Sequence, residues 1–156
     1  MKSFSIRIMT DNDYESVYAL WLGTPNMGLN NLDDTKDGFA KYLARNPDTC
    51  FVAEKDGVVA GVILSGHDGR RGYIHHAAVA QGEQRQGIGS ALVDAALSAL
   101  EREGINKVAL VAYADNVEGN SFWERQGFIT RPDLIYRNKE IVDLVRIDTK
   151  QKSGWC

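Results

Sequence analysis

The strongest chemical signal in the sequence is a glycine-containing segment that follows a predicted strand and begins a predicted helix. It reads Gln84-Arg85-Gln86-Gly87-Ile88-Gly89-Ser90. Gly87 and Gly89 remove side chains where backbone N–H groups would point out of the helix start, so an anion can approach those donors closely. The helix dipole and the fixed charge of Arg85 favour the same ligand. The segment therefore predicts a site for a phosphate or pyrophosphate group.

Three kinds of glycine loop bind phosphates, and residue spacing separates them. A Walker A loop needs a lysine directly after its glycines, and none follows Gly89. A Rossmann fingerprint needs a third glycine or alanine where Leu92 stands. The third spacing, Gln/Arg-x-x-Gly-x-Gly/Ala, does fit, as Gln84-x-x-Gly87-x-Gly89. A nucleotide-binding module of the first two kinds is therefore disfavoured.

The elements that must position this segment alternate between strand and helix patterns. Apolar alternation and short apolar runs predict strands over 4–8, 50–53, 58–64, 73–80, 108–111 and 128–130. Helical spacing predicts helices at about 10–22, in a shorter stretch around Phe39, at about 87–103, and in a short stretch that ends at Gly127. The last strand is predicted over either 134–141 or 142–147. This order indicates an α/β domain around a mixed sheet.

Length and composition limit the number of domains and the kinds of partner that we expect. A chain of 156 residues suits one domain that can bury a core without cross-links. Its net charge of -3 argues against nucleic-acid and anionic-membrane partners, which need a basic surface. Cys50 and Cys156 form neither a disulfide framework nor metal-ligand spacing, so we expect no metal and a cytoplasmic protein. No apolar run is long enough for a membrane helix or a signal peptide.

A second motif lies downstream of the first. It reads Asn116-x-x-Gly119-x-x-Phe122-Trp123-x-x-x-Gly127-Phe128. With both motifs and this order of elements over about residues 3–141, the chain resembles the GNAT superfamily of N-acetyltransferases. The resemblance implies a single domain over 1–156, with a core of about 3–141 and a tail of 142–156. It also implies helices that flank a mixed sheet, and a splay between the strands 73–80 and 108–113.

The resemblance implies acetyl-coenzyme A as the cosubstrate, bound along the splayed strand. The backbone of Ala78, Val79 and Ala80 would pair with the pantetheine arm, and the Val79 amide would polarise the thioester carbonyl. Asn116 would hydrogen-bond the arm near the thioester, and Trp123 would pack against the core or the arm. The remaining cofactor-binding residues form the pyrophosphate segment: Gln84, Arg85, Gln86, Gly87, Ile88, Gly89 and Ser90.

The sequence departs from the family pattern at two catalytic positions. Trp123 stands where many members carry an acidic tyrosine, and an indole does not ionise near neutral pH. Val111 stands where some members carry a glutamate base. Tyr73 and His75 fall where other members carry their base, so His75 is the candidate base with Tyr73 next.

The alternative for the histidines is that His75 and His76 are partly buried, hydrogen-bonded imidazoles. Strand alternation predicts Tyr73, His75, Ala77 and Val79 on one face of the sheet, with His76 on the other.

The predicted function is transfer of an acetyl group from acetyl-coenzyme A to a primary amine by direct attack in a ternary complex. The acceptor is either a small-molecule amine or a protein amine, and the sequence does not decide between them. A homodimer is one possible assembly. Three acidic residues around the second helix would either attract a cationic amine or cap the helix: Asp33, Asp34 and Asp37. The alternative function is a non-catalytic acyl-coenzyme A sensor or regulatory module with the same fold.

Overall fold

A five-stranded sheet with helices on both faces forms the centre of the protein, as our computed structural model, which describes residues 3–148, shows. The strands are β1 (Ser5–Ile8), β2 (Phe51–Lys55), β3 (Val58–His67), β4 (Gly72–Val79) and β5 (Val108–Leu110). The helices are α1 (Tyr14–Leu22), α2 (Lys36–Arg45), α3 (Ile88–Arg102) and α4 (Val117–Arg125), with short 3₁₀ turns at Asp11–Asp13 and Gln81–Glu83. The prediction of an α/β domain with a mixed sheet is confirmed.

The strands follow one another across the sheet in chain order, and local turn chemistry explains why. The order is β1-β2-β3-β4-β5. The first three pairings are antiparallel and the last, β4 with β5, is parallel. Asp56 and Gly57 both have positive φ, 52° and 77°, which is the conformation that a tight hairpin turn between β2 and β3 requires. The helix α3 makes the crossover that a parallel pair needs.

Each face of the sheet carries its own apolar core. On one face α1 and α2 bury Val17, Trp21 and Phe39 against the sheet. On the other face α3 buries its apolar stripe, including Ile88 and Leu92. Because both cores fix the position of β4, the residues of this strand point into defined surroundings on either side.

The sheet opens between its last two strands. Pairing of β4 with β5 extends only from Gly72–Val108 to Ile74–Leu110, whereas β4 continues to Val79. Within residues 3–148 the second half of β4 therefore has a free edge, and the predicted splay is confirmed.

The strands predicted after α4 are wrong for the residues that the structure describes. Residues 128–130, 134–141 and 142–147 join no strand of the sheet in the described range 3–148. Their apolar side chains face solvent, as Ile135 at 77% and Ile141 at 99% exposure show, so no buried face holds them in a sheet. Within 142–147, Arg146 forms an isolated bridge with Asn30 instead. The end of the predicted tail, 149–156, lies outside the described residues.

None of the helices among residues 3–148 is both long enough and apolar enough to cross a membrane.

Candidate functional site

The N-terminus of α3 offers unpaired backbone donors. Gly87 is the N-cap with φ 84°, and no side chain caps the helix. The first backbone bond of the helix runs from Ala91 N to Gly87 O, at 3.0 Å. The N–H groups of Ile88, Gly89 and Ser90 are therefore left at the open helix end, where the helix dipole favours an anion. Gly87 suits this turn because its φ is one that other residues rarely adopt.

The missing side chain of Gly89 also matters for helix packing. A Cβ at this position would lie 3.0 Å from Phe122 Cε1 and 3.7 Å from Val79 Cγ2. The missing side chain therefore makes room for α4 to pack against α3 and β4. The role of Gly89 in an anion site stays a prediction.

Side chains around the Gln84–Ser90 segment divide into engaged and available groups. Lys55 Nζ donates to Glu83 Oε2 at 2.7 Å and to Gln86 Oε1 at 3.0 Å, so the Gln86 side chain braces the loop. Ser90 Oγ accepts from Gln126 at 2.9 Å. Gln84 and Arg85 are exposed. Among the described residues no carboxylate lies within ion-pair distance of Arg85, so its charge is available to an anion.

The free edge of β4 presents the Val79 amide. Ala80 N donates to Ala60 O at 2.8 Å, on the β3 side. Successive backbone N–H groups of a strand point to opposite edges, so Val79 N–H faces the edge that β5 has left. By the same alternation Ala78 faces β3, where it pairs with Val62. Of the three predicted pantetheine-binding residues, Val79 is the one whose N–H is open.

A β-bulge at His75 changes the faces of β4. Leu64 pairs with His76 and Ser65 pairs with Ile74, which leaves His75 as an extra residue. In such a bulge two successive side chains leave the strand on the same side. His75 accordingly contacts Tyr42 of α2, and His76 contacts Trp21 of α1.

The two histidines therefore share one face, although strand alternation predicts them on opposite faces. Val79 and Ala77 pack on the other side, against the α3 core. The prediction that His75 and Val79 share a face is wrong, because one extra residue reverses the alternation between them.

His76 is bound to a buried carboxylate. Its Nε2 lies 2.9 Å from Asp34 Oδ1, at hydrogen-bond distance. Asp34 is 4% exposed, and its Oδ2 accepts from Asn30 N at 2.8 Å. The hydrogen-bonded alternative is therefore confirmed for His76. Asp34 is not the helix cap, since Thr35 accepts from Gly38 N and caps α2.

His75 lies in an aromatic group directly after the point where β4 and β5 stop pairing. Its ring centroid is 5.4 Å from that of Tyr42 and 4.6 Å from that of Tyr73. Desolvation by the surrounding protein, together with the neighbouring His76, lowers the pKa of His75 to about 4. His75 is nevertheless exposed to solvent. Solvent contact moderates such a shift, but its direction leaves the imidazole neutral at pH 7. Burial raises the pKa of Tyr42, so this ring is neutral as well.

Sequence reasoning missed Tyr42 and Lys55 as residues of this site. Tyr42 carries only the signal of an apolar helix position, and Lys55 ends a strand beside a hairpin turn. Neither residue belongs to a motif, so no local signal identifies them.

Asn116 and Trp123 of the second motif have structural contacts. Asn116 Oδ1 accepts from Gly119 N at 3.1 Å and caps α4, which leaves its amide nitrogen for a ligand. A side chain on Gly119 would collide with this cap. The Trp123 ring packs 5.0 Å from Phe122 and 5.3 Å from Phe128. This contact supports the interpretation of Trp123 as a packing residue.

Comparison with known proteins agrees with this arrangement. A sequence profile described as the acetyltransferase (GNAT) family matches residues 14–128. A curated acetyltransferase of Pectobacterium atrosepticum is 28% identical over 138 residues, which cover 88% of this chain and 96% of that protein. The crystal structure of Ard1 from Thermoplasma volcanium has a TM-score of 0.74 and 27% identity, covering 82% of this chain and 84% of that one.

A structure determined with coenzyme A has the same fold. The PaiA N-acetyltransferase from Thermoplasma acidophilum superimposes with a TM-score of 0.70 at 16% identity, covering 80% of this chain and 89% of that one. The profile match spans both motifs, the free edge of β4 and the open end of α3. The chain belongs to the GNAT family of acetyltransferases.

Proposed function

We propose that the protein transfers the acetyl group of acetyl-coenzyme A to a primary amine by direct attack in a ternary complex. The observation that carries the proposal is the unpaired edge of β4, which runs from the bulge at His75 to the open N-terminus of α3. One end of this edge offers donors to an anionic substrate, and the other offers a neutral imidazole. Acetyl transfer to an amine needs both.

The proposed cosubstrate site uses backbone groups. The N–H groups at the start of α3 and the Arg85 guanidinium would hold the pyrophosphate. The pantetheine arm would lie along the free edge of β4, with the Asn116 amide nitrogen beside it. Val79 N–H would donate to the thioester oxygen and stabilise the negative charge that develops there. The cradle at Gly87 and the open edge at Val79 both fit a long anionic substrate of this kind.

The proposed acceptor site uses side chains. An alkyl ammonium has a pKa of about 10, so it must lose a proton before its nitrogen can attack. His75, neutral at pH 7, would accept that proton, and Tyr73 is the next candidate. The amine nitrogen then bonds to the acetyl carbon, the carbon–sulfur bond breaks, and the electron pair leaves with the sulfur. The nitrogen gives up a second proton, which neutralises the departing thiolate and leaves the acetamide. Because Tyr42 and His75 are uncharged, they do not repel a cationic acceptor.

The acceptor class, assembly and location are parts of the same proposal. We propose a small-molecule or protein amine as the acceptor and keep a homodimer as the assembly to test. Burial raises the pKa of the free Cys50 thiol to about 12, so the thiol is unreactive. This supports a structural role for the cysteine. We propose the cytoplasm as the working compartment on the same grounds as before, the low cysteine content.

Release of coenzyme A in the presence of an amine panel tests the proposal. The panel contains a polyamine, an aminoglycoside, free amino acids and a peptide with a free N-terminus. We expect one class to give coenzyme A at a rate above hydrolysis, together with a product that mass spectrometry identifies as its acetamide. Tight binding of acetyl-coenzyme A without turnover on any class would contradict the proposal and favour the non-catalytic alternative.

A further inference from the structure

A short segment near the end of the described chain is bound to the loop between α1 and α2. We name residues 145–148 the C-terminal strap and residues 23–35 the α1–α2 loop. Asn31 N donates to Val145 O and Ile147 N donates to Leu29 O, both at 3.0 Å. Val145 N donates to Asn31 Oδ1 at 2.8 Å. The strap thus pairs with a loop and joins no strand of the described sheet.

The Asp148 carboxylate is the centre of this contact. Oδ2 accepts from Gly28 N and Oδ1 accepts from Leu29 N, each at 3.0 Å. Arg146 Nε donates to the same Oδ1 at 3.0 Å, and the two side chains are 3% and 1% exposed. Burial alone would raise the pKa of Asp148, but the bonds from Arg146 and Gly28 lower it, so the carboxylate is ionised. Asp148 therefore holds two successive N–H groups of the loop with a full negative charge.

Arg146 connects the same point to the segment that follows β5. Its guanidinium lies 4.9 Å from the centre of the Tyr113 ring. Tyr113 follows β5 at the place where β5 has left β4. The Arg146–Asp148 pair consequently contacts both the α1–α2 loop and the segment that borders the splay.

The far end of the α1–α2 loop reaches the proposed base. Asp34 of the loop binds His76, the neighbour of His75. Because His75 and His76 leave β4 on the same face, Asp34 lies on the face that carries the proposed base. We call residues 28–34 of the loop the wall: Asp148 holds its beginning at Gly28 and Leu29, and its end at Asp34 binds His76, the chain neighbour of His75.

We propose that Arg146 and Asp148 are positioning residues that hold this wall and thereby set the affinity for the acceptor amine. The part of this inference that concerns the acceptor KM rests on the proposed function. Neither residue touches the reacting atoms in this scheme. Loss of the pair frees the wall on the acceptor side and leaves the backbone donors of the cosubstrate side in place.

Asp148→Asn tests the inference, since asparagine keeps the size of the side chain but loses its charge. We expect the KM for the acceptor to rise about tenfold, the equivalent of one charge-assisted hydrogen bond. The calorimetric Kd for acetyl-coenzyme A should stay unchanged, and amide hydrogen exchange at 28–29 should become faster. Arg146→Lys keeps the charge but loses the planar guanidinium and its Nε donor to Asp148, so it should give a smaller change in the same direction.

The chain offers a matched control in Arg131 and Asp133. They form the same Arg-x-Asp pair at the surface, with side chains 44% and 62% exposed. Asp133→Asn should therefore change neither the acceptor KM nor the hydrogen exchange at 28–29. A wild-type acceptor KM in folded Asp148→Asn would overturn the inference. If Asp148→Asn does not fold, a wild-type acceptor KM in Arg146→Lys would do so.

Failure of the proposed function has a separate signature. It shows as wild-type protein that releases no coenzyme A with any amine. In that case amide hydrogen exchange alone tests the inference. Unchanged exchange at 28–29 in Asp148→Asn overturns it.

Discussion

The two halves of β4 offer different chemistry to a ligand. At the Val79 half the available groups belong to the backbone: the open N–H of Val79 and the first N–H groups of α3. At the His75 half they are side chains brought together from three elements. His75 comes from β4, Tyr42 from α2, and Asp34, bound to His76, from the α1–α2 loop.

The difference lies in what fixes each half. The backbone half depends on a strand pairing that stops and on a glycine with positive φ at a helix start. The side-chain half depends on one extra residue in the register between β3 and β4. Substitutions should therefore affect acetyl-coenzyme A affinity at one half, and turnover or acceptor binding at the other.

The largest expected effect is that of His75→Ala. Loss of a positioned base lowers turnover by about 100- to 10,000-fold, while acetyl-coenzyme A affinity stays nearly unchanged. As pH falls through its pKa, His75 takes up a proton and can no longer accept one from the amine. Because the pKa of His75 is lowered, the acid limb of kcat/KM should lie below the value of about 6.5 for a free imidazole. The limb should vanish in the variant.

His67→Ala is the control for that substitution. His67 ends β3 in an exposed turn, where its Nδ1 accepts only from Gly69 N among the bonds of the described residues. It should keep both turnover and the acid limb. An acid limb that survives in His75→Ala would place the base elsewhere and make Tyr73 the next residue to test.

His76→Ala should instead lower stability. It leaves the buried Asp34 carboxylate without its side-chain partner, and such a loss reduces the free energy of unfolding by about 1–3 kcal/mol. Since Asp34 also holds Asn30 N, the α1–α2 loop should loosen and the acceptor KM should rise. Denaturant unfolding and steady-state kinetics measure the two quantities. An unchanged midpoint would show that the Asp34–His76 bond does not hold the loop.

Gly87→Ala probes the backbone half. A left-handed φ of 84° disfavours alanine, so the N-cap should shift and acetyl-coenzyme A should bind about tenfold more weakly, as expected from the loss of one charge-assisted hydrogen bond. Gly57→Ala is a matched control, because Gly57 has φ 77° and, like Gly87, open space for a Cβ. Both variants should lose about 1 kcal/mol of stability. Calorimetry that finds equal affinities for the two would exclude Gly87 from the cosubstrate site.

Sequence patterns predicted the parts of this fold that local rules determine. The hairpin at Asp56-Gly57, the apolar stripe of α3 and the strands on either side of that hairpin follow from turn chemistry and periodicity. The splay between β4 and β5 was predicted from the family resemblance that the two motifs carry. Residues 128–147 have similar apolar patterns without a partner strand in the described sheet, so periodicity alone overstated the strands there.

The side-chain half of the site could not be predicted because its contacts are not local. The bulge at His75 depends on the pairing of β4 with β3, which period-two alternation does not contain. Asp34 and His76 are 42 residues apart, and no motif links them. Gly89 has the spacing of a phosphate-loop glycine, but its missing side chain serves Phe122, which only the packing of α4 reveals.

The smallest expected effect is that of Trp123→Phe in α4. The indole stacks edge-on against Phe122 and Phe128, with ring planes 74° and 77° apart. A phenyl ring keeps these contacts with less volume, so stability should fall by about 1 kcal/mol. The chemical step, measured by single-turnover kinetics, should stay within a few-fold of wild type because an indole N–H does not protonate a thiolate near neutral pH. A loss on the order of 100-fold would be that of a general acid, and would mean that Trp123 orders the water or the side chain that delivers this proton.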